Sequence, residues 1–449
     1  MDFLKKNSFF LLAIFSGILY YIFAYQIERT EFTTLLILWG LLFSSYYLLT
    51  RNYKVSVSYY TALFIVLRLI FLITIPNLSQ DFYRFIWDGR MIYEGLNPYI
   101  SLPETYINTG NYPIPQAEEL YAGMGKMNGS HFTNYPPINQ LCFLIAALFS
   151  NTSILGAAIV MRSLLILADI GIFHFGSKLL KKLNLNPNLI FLYLLNPFII
   201  IELTGNLHFE PVMLFFLVWS LYQLQKRNWI IAAVLLAISI NVKLIPLLFL
   251  PLFLKWFLIN DEGNIVWKNI KNLIAFYAIV ICTCIALFLP FFSSELIDSY
   301  SNSIGLWFRN FEFNASFYYV FREIGYLFRG YNEIAVIGKI TPVLTILFLL
   351  AVTFIKKNKT AKELITSMLF ALSFYYFTTT TMHPWYLSTL IILSIFTKYK
   401  FPLVWSLVII LSYQAYANIP WKENLWFVFV EYVVVYSFLI YEIKKPTHV

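Results

Sequence analysis

Apolar runs of about 17–25 residues, the length a helix needs to cross a hydrocarbon core about 30 Å thick, recur along this chain from residue 8 to residue 441. Backbone polar groups inside lipid must be satisfied internally, so such runs fold as helices. Of the 449 residues, 59% are hydrophobic and 12% charged, against about 25% charged in soluble domains. No stretch is left for a separate soluble domain. The expected fold is therefore all-α, a polytopic transmembrane bundle forming one domain over 1–449.

Runs at 8–25, 32–49, 57–76, 154–176, 187–204, 210–225, 272–292, 334–355, 363–381, 401–417 and 425–441 read as spans. The run 229–259 is too long for one crossing and is split at Asn241-Val242-Lys243, and 385–397 is a short further case, giving about 14 spans in all. The segment 136–150 reaches only about 22 Å as a helix, so it reads as lying in the interface. With it there, the clusters Lys178/Lys181/Lys182, Lys226/Arg227, Lys255/Lys268/Lys271, Lys356/Lys357/Lys359/Lys362, Lys398/Lys400 and Lys444/Lys445 all fall on one side. By the positive-inside rule that side is cytoplasmic, as are both termini. The net charge of +9 thus describes topology, and nucleic acid is not an expected partner. The two long external loops are 77–153 and 293–333, so the chemistry is expected outside. Cys142, Cys282 and Cys284 lie in apolar stretches and carry no disulfide framework.

The densest polar stretch is SQDFYRFIWDGRMIYEGLNPY, residues 79–99. As a helix from Asp81 to about Glu94 it aligns Asp81, Arg84 and Asp88 on one face, with Phe82, Ile86 and Tyr93 on another suited to the membrane surface. It stops at Gly95 and Asn97-Pro98. Either Arg84 pairs with both aspartates on an ordinary surface helix, or the aspartates serve a site acting on a polar group carried by lipid.

Asp81-x-x-Arg84-x-x-Trp87-Asp88-Gly89-Arg90, then Gly95-x-Asn97-Pro98-Tyr99 and Asn134-Tyr135-Pro136-Pro137, resemble the first external loop of GT-C glycosyltransferases. The likeness is to bacterial polyprenyl-phosphate-mannose-dependent mannosyltransferases and, further off, to the catalytic subunit of GPI mannosyltransferase I. Asn196-Pro197 with Asn206-Leu207-His208-Phe209-Glu210, Asn241-Val242-Lys243-Leu244-Ile245-Pro246 and His383-Pro384-Trp385-Tyr386 extend it over roughly 79–390, although Glu210 stands where Asp is commoner. The resemblance implies a GT-C bundle in a bacterial inner membrane, with two interfacial helices in the first loop and a loop acid as catalytic base.

Sugar transfer from a lipid phosphate needs a base for the acceptor hydroxyl and cations for the departing phosphate. Asp81 is the expected base, with Asp88 sharing that role or orienting Arg84 and Arg90. Lys243, which interrupts an apolar run, is the first phosphate ligand, with Arg84, Arg90 and Arg309 beside it; the alternative is a Lys that snorkels. Asn97, Tyr99, Asn206, His208, Glu210, Asn314, His383 and Trp385 are candidates for binding substrate. His208 and Glu210 suit a divalent metal ion together with Asp81 or Asp88, or else a turn that bonds the donor sugar. The aromatic stretch Trp307 to Asn314 fits a sugar or prenyl chain, or lipid headgroups. Arg162 and Asp169, seven apart in one span, each need a partner on another helix, and Arg68 can reach toward Asp81. The leading function is inverting transfer of a hexose, most simply mannose, from a polyprenyl-phosphate donor to a glycan, lipid or protein acceptor at the outer face. A lipid-linked sugar flippase, or a glycan polymerase or ligase with a diphosphate-linked donor, are the competing classes. No nucleotide-binding element is present.

Overall fold

The computed structural model describes residues 2–51, 56–260, 262–309 and 311–445, apart from the side chains of 2–7, 304 and 306–309. It is helical throughout; among the described residues no strand forms, only isolated bridges between Ile259 and Ile265 and between Phe313 and Thr381. Helices α1 (Asp2–Gln26), α2 (Phe32–Thr50) and α3 (Val57–Leu69) lead to four loop helices, α4 (Asp81–Tyr93), α5 (Pro103–Thr109), α6 (Ala117–Gly129) and α7 (Pro137–Phe149). Then come α8 (Ile154–Lys182), α9 (Phe191–Leu194), α10 (Glu210–Gln225), α11 (Trp229–Ile240), α12 (Phe253–Leu258) and α13 (Ile270–Phe288). The chain continues through α14 (Leu296–Arg309), α15 (Phe317–Arg329), α16 (Ile334–Ile355), α17 (Ala361–Thr378), α18 (Leu387–Ile395), α19 (Phe401–Val408) and α20 (Leu425–Lys444).

Each apolar run becomes helix, as an all-α polytopic bundle requires, but many of the helices are short. Among the described residues six single helices are long and apolar enough to cross a membrane, and Pro187–Leu194 with Ile199–Gly205 make a seventh that is bent by 63°. The bend follows from Asn196-Pro197: Pro cannot continue the helix, and Asn196 Oδ1 accepts from the Phe198 N–H at 2.9 Å while its Nδ2 donates to Ser406. Two other short segments gain length from 3-10 winding, which rises about 2.0 Å per residue instead of about 1.5. Ile245–Leu252 is wound this way before α12, and Ile409–Ala417 after α19, so those segments reach about 25 and 30 Å.

The loop 77–153 holds four helices where two were expected, because the polar segments 103–109 and 117–129 also fold. α7, 13 residues and about 20 Å long, is too short to span and packs on α4 and α8. Phe82 and Ile86 of α4 do not rest on lipid: both are buried, and only Tyr93 is exposed. Phe85 stacks on Phe143 at 4.7 Å, with Tyr135 and Phe209 edge-on, so α4, α7 and the start of α10 share one aromatic core. Gly89 permits this crossing, since a Cβ there would lie 2.2 Å from the Phe143 carbonyl oxygen.

Two buried arginines hold the bundle. Arg68 pairs with Asp169 at 2.7 Å and donates to the Leu194 carbonyl, so it does not serve the Asp81 region. Arg162 donates to four carbonyls, Leu72 and Thr74 after α3, and Thr204 and Gly205 at the end of the π-helical turn Ile199–Gly205. These two stretches lead directly to Asp81 and to His208.

Candidate active site

Asp81 opens α4, where unpaired N–H groups favour a negative charge. The Ser79 hydroxyl accepts its backbone N–H at 3.3 Å, and the Asn128 side chain bonds its carboxylate. Burial raises its pKa; Lys243 and Arg29 oppose that rise while Glu210 adds to it. The Asp81 carboxylate therefore sits within the field of a cation and a carboxylate from the break after α11 and the start of α10.

Those two groups are ion-paired, Lys243 Nζ to Glu210 Oε1 at 2.5 Å, with Glu210 2% and Lys243 17% exposed. The Asn241 carbonyl at the same break accepts the Ile138 N–H at 2.9 Å, docking the α7 start beside Lys243. Leu207 precedes His208 with φ of 60°, a left-handed conformation costly for a bulky residue, which turns the chain sharply into α10. His208 stacks on Trp385 at 3.9 Å, and Trp385 stacks on His383 at 4.5 Å. His383 packs on Phe311 and Phe313, Phe313 on Tyr416, and the Arg29 guanidinium lies 4.3 Å from the Tyr416 ring centre. An aromatic arc thus runs from His208 round to Arg29, with Asp81 and Lys243 beside it. Burial, with Lys243 nearby, holds His208 well below the usual imidazole range and His383 down to about 3, so both rings are neutral.

Several expected ligands are placed otherwise. Asp88 is fully buried, one oxygen taken by Arg84 at 2.8 Å and the other by Gln140 at 3.0 Å. Arg84 also donates to the Asn128 and His131 carbonyls, which makes the pair a brace that holds Asn128 toward Asp81. The alternative in which Arg84 bridges both aspartates does not form. Arg90 is spent on the Pro115 carbonyl and Gln116, tying α4 to α6. The Arg309 side chain lies outside the described residues. Asn97 donates to the Phe291 carbonyl, and the Tyr99 hydroxyl to the Tyr135 carbonyl, so both are loop fasteners. Asn206 accepts from the Leu78 N–H at 3.1 Å, joining the His208 turn to the segment before Asp81. Asn314 is buried, its N–H on Glu423 and its amide on Glu431.

His208 and Glu210 do not gather a metal donor set: among the described residues no three His, Cys, Asp or Glu side chains converge, and Glu210 is engaged by Lys243. Arg29, Asn128 and Tyr416 are the members that sequence reasoning missed. Arg29 sits in a short polar turn between α1 and α2, without a motif to mark it.

A family profile described as "Alpha-(1->6)-mannopyranosyltransferase, N-terminal domain" matches residues 16–260. Among characterised proteins, alpha-(1->6)-mannopyranosyltransferase A of Corynebacterium glutamicum is 23% identical over 188 residues, 40% of this chain and 35% of that relative's length. The chain therefore aligns with about a third of that relative. The matched region takes in Asp81, His208, Glu210 and Lys243 and ends before Phe313, His383 and Trp385. An all-helical membrane bundle whose matched half supplies the acid, the cation and the histidine turn belongs to the alpha-(1->6)-mannopyranosyltransferase family.

Proposed function

We propose that the protein is an integral-membrane mannosyltransferase that moves mannose from a polyprenyl-phosphate donor to a sugar hydroxyl in one inverting displacement. The observation that carries this reading is the placement of Asp81 at a helix N-terminus beside the Lys243–Glu210 pair and the His208–Trp385–His383 stack. Asp81 takes the proton of the acceptor hydroxyl while that oxygen bonds to C1 of mannose. The C1–O bond to phosphate breaks as its electron pair leaves with the phosphate, and Lys243 offsets the charge. A flat aromatic stack suits the C–H face of a pyranose. The relative's α-(1→6) linkage, formed with inversion, requires a β-linked donor and a primary 6-hydroxyl as acceptor. Lys181 and Lys182 close α8, and Lys255 of α12 is bonded to the Phe354 and Lys356 carbonyls at the end of α16. By the positive-inside rule they mark the cytoplasmic face of the bacterial inner membrane and turn the site outward.

The buried charges offer no support for a flippase. Arg68 and Asp169 are paired with one another and Arg162 is spent on four carbonyls, so among the described residues these charges form local braces and not a solvated row across the bundle. Purified protein in lipid nanodiscs, given polyprenyl-phosphate mannose and mannooligosaccharide, is expected to extend the saccharide. Asp81→Asn is expected to abolish transfer with an unchanged helical circular-dichroism spectrum; full activity of that variant refutes the assignment of the base.

A further inference from the structure

On the mannosyl-transfer reading above, we propose that the cleft between the α1–α2 turn and the start of α4 is the acceptor site, taking one terminal neutral sugar residue of a glycan. The cleft holds about 240 Å³ and is lined chiefly by Glu28, Arg29, Asn77, Ser79, Gln80 and Tyr83. That volume falls below the ~300–1,000 Å³ of pockets that hold drug-sized ligands, so it admits a single pyranose and not an oligosaccharide.

The lining combines a carboxylate, a guanidinium, two amides and three hydroxyls with Pro76, Leu78 and Phe82. Sugar hydroxyls both donate and accept, and a pyranose also has an apolar C–H face, so a sugar suits such a mixed wall, whereas a prenyl chain leaves the polar groups unpaired and an anion meets Glu28. The walls are held in place. Asn77 donates to the Phe23 and Ile27 carbonyls at 2.8 and 2.9 Å, fixing the end of α1, and Gln80 donates to the Met124 carbonyl at 3.1 Å. Phe82 and Tyr83 pack ring on ring at 4.0 Å beneath.

Arg29 gives the cleft its connection to the chemistry. It donates to the Leu78 carbonyl at 3.3 Å, rests on Tyr416, and its charge reaches the Asp81 carboxylate. Asp81 stands in the chain between the lining residues Gln80 and Phe82, and Lys243 and Glu210 act on its carboxylate, so the proposed order is acceptor cleft, base and cation. An inverting displacement needs that order, with the base and acceptor on one side of C1 and the leaving phosphate on the other.

Thr30, an exposed residue on the rim, tests the assignment without touching the base. In nanodiscs with polyprenyl-phosphate mannose and mannotriose, Thr30→Trp and Glu28→Gln are expected to raise the KM for mannotriose about tenfold or more. The donor KM is expected to stay within about twofold. Mannotriose binding followed by saturation-transfer NMR, which needs no turnover, is expected to disappear in Thr30→Trp. Unchanged mannotriose KM and retained binding in both variants overturn the acceptor site. Wild-type protein that binds mannotriose in a Thr30→Trp-sensitive manner yet transfers no mannose from the polyprenyl donor instead refutes the donor reading and leaves the cleft as a saccharide site.

Discussion

Replacing Lys243 by Met separates the structural duty of this cation from its chemical one. Glu210 is 2% exposed; its Oε1 receives Lys243 at 2.5 Å, and its Oε2 has no hydrogen-bond partner among the described residues. Lys243→Met therefore leaves a buried carboxylate without any partner, a loss of about 3–5 kcal/mol. Glu210→Gln is milder, about 1–2 kcal/mol, because Lys243 keeps some contact with solvent and lies in the field of the Asp81 carboxylate. The double variant Lys243→Met/Glu210→Gln exchanges the pair for neutral groups and is expected to lie within about 1.5 kcal/mol of wild type. Reversible unfolding in mixed micelles, followed by tryptophan fluorescence, measures the three differences, and mannosyl transfer is assayed on the same samples. Stability returns in the double variant and activity does not, because the phosphate has still lost its cation. A double variant as unstable as Lys243→Met refutes the pairing argument, and transfer by Lys243→Met at the wild-type rate refutes the phosphate role.

Burial lifts the Asp81 pKa, and the base works as the carboxylate, so the transfer rate is expected to rise with pH through a midpoint above the ordinary aspartate value of 3.8. Lys243 lowers that pKa, so Glu210→Gln, which frees the cation toward Asp81 and removes a repelling charge, moves the limb to lower pH; a limb unmoved by Glu210→Gln contradicts the coupling. Arg162→Met strands four carbonyls, three of them in buried bonds, and losing even two charge-assisted bonds costs about 3 kcal/mol or more. Because those carbonyls belong to the stretches leading to Asp81 and His208, Arg162→Lys, which restores part of the bonding, is expected to recover stability ahead of kcat, with the donor KM little changed. Gly89→Ala drives a Cβ against the Phe143 carbonyl and is expected to destabilise the protein by about 1–3 kcal/mol, seen as a lowered unfolding midpoint; a neutral result means α4 and α7 do not cross this closely.

The sequence by itself determined the class of the fold. Apolar length has one solution in lipid, so each run became helix, and the breaks at Asn196-Pro197 and Asn241-Val242-Lys243 were legible as departures from that pattern. It also marked Asp81, Lys243, His208, Glu210, His383 and Trp385, because polar or aromatic residues at the ends of apolar runs stand out against their surroundings. What the tertiary structure alone decided was the partner of each charge. Helical spacing put Asp81, Arg84 and Asp88 on one stripe, yet Gln140 from α7 and the carbonyls of α6 drew Arg84 and Asp88 into a brace and left Asp81 to Lys243. Periodicity likewise cannot separate a helix face buried by lipid from one buried by protein, which is why Phe82 and Ile86 were misplaced. Arg29 carried no signal, since its role arises from a turn that folding brings against residues 77–83 and Tyr416. One-dimensional pattern reports how each residue sits relative to its neighbours in the chain, whereas a site is made by contacts between segments, and those are set only when the bundle closes.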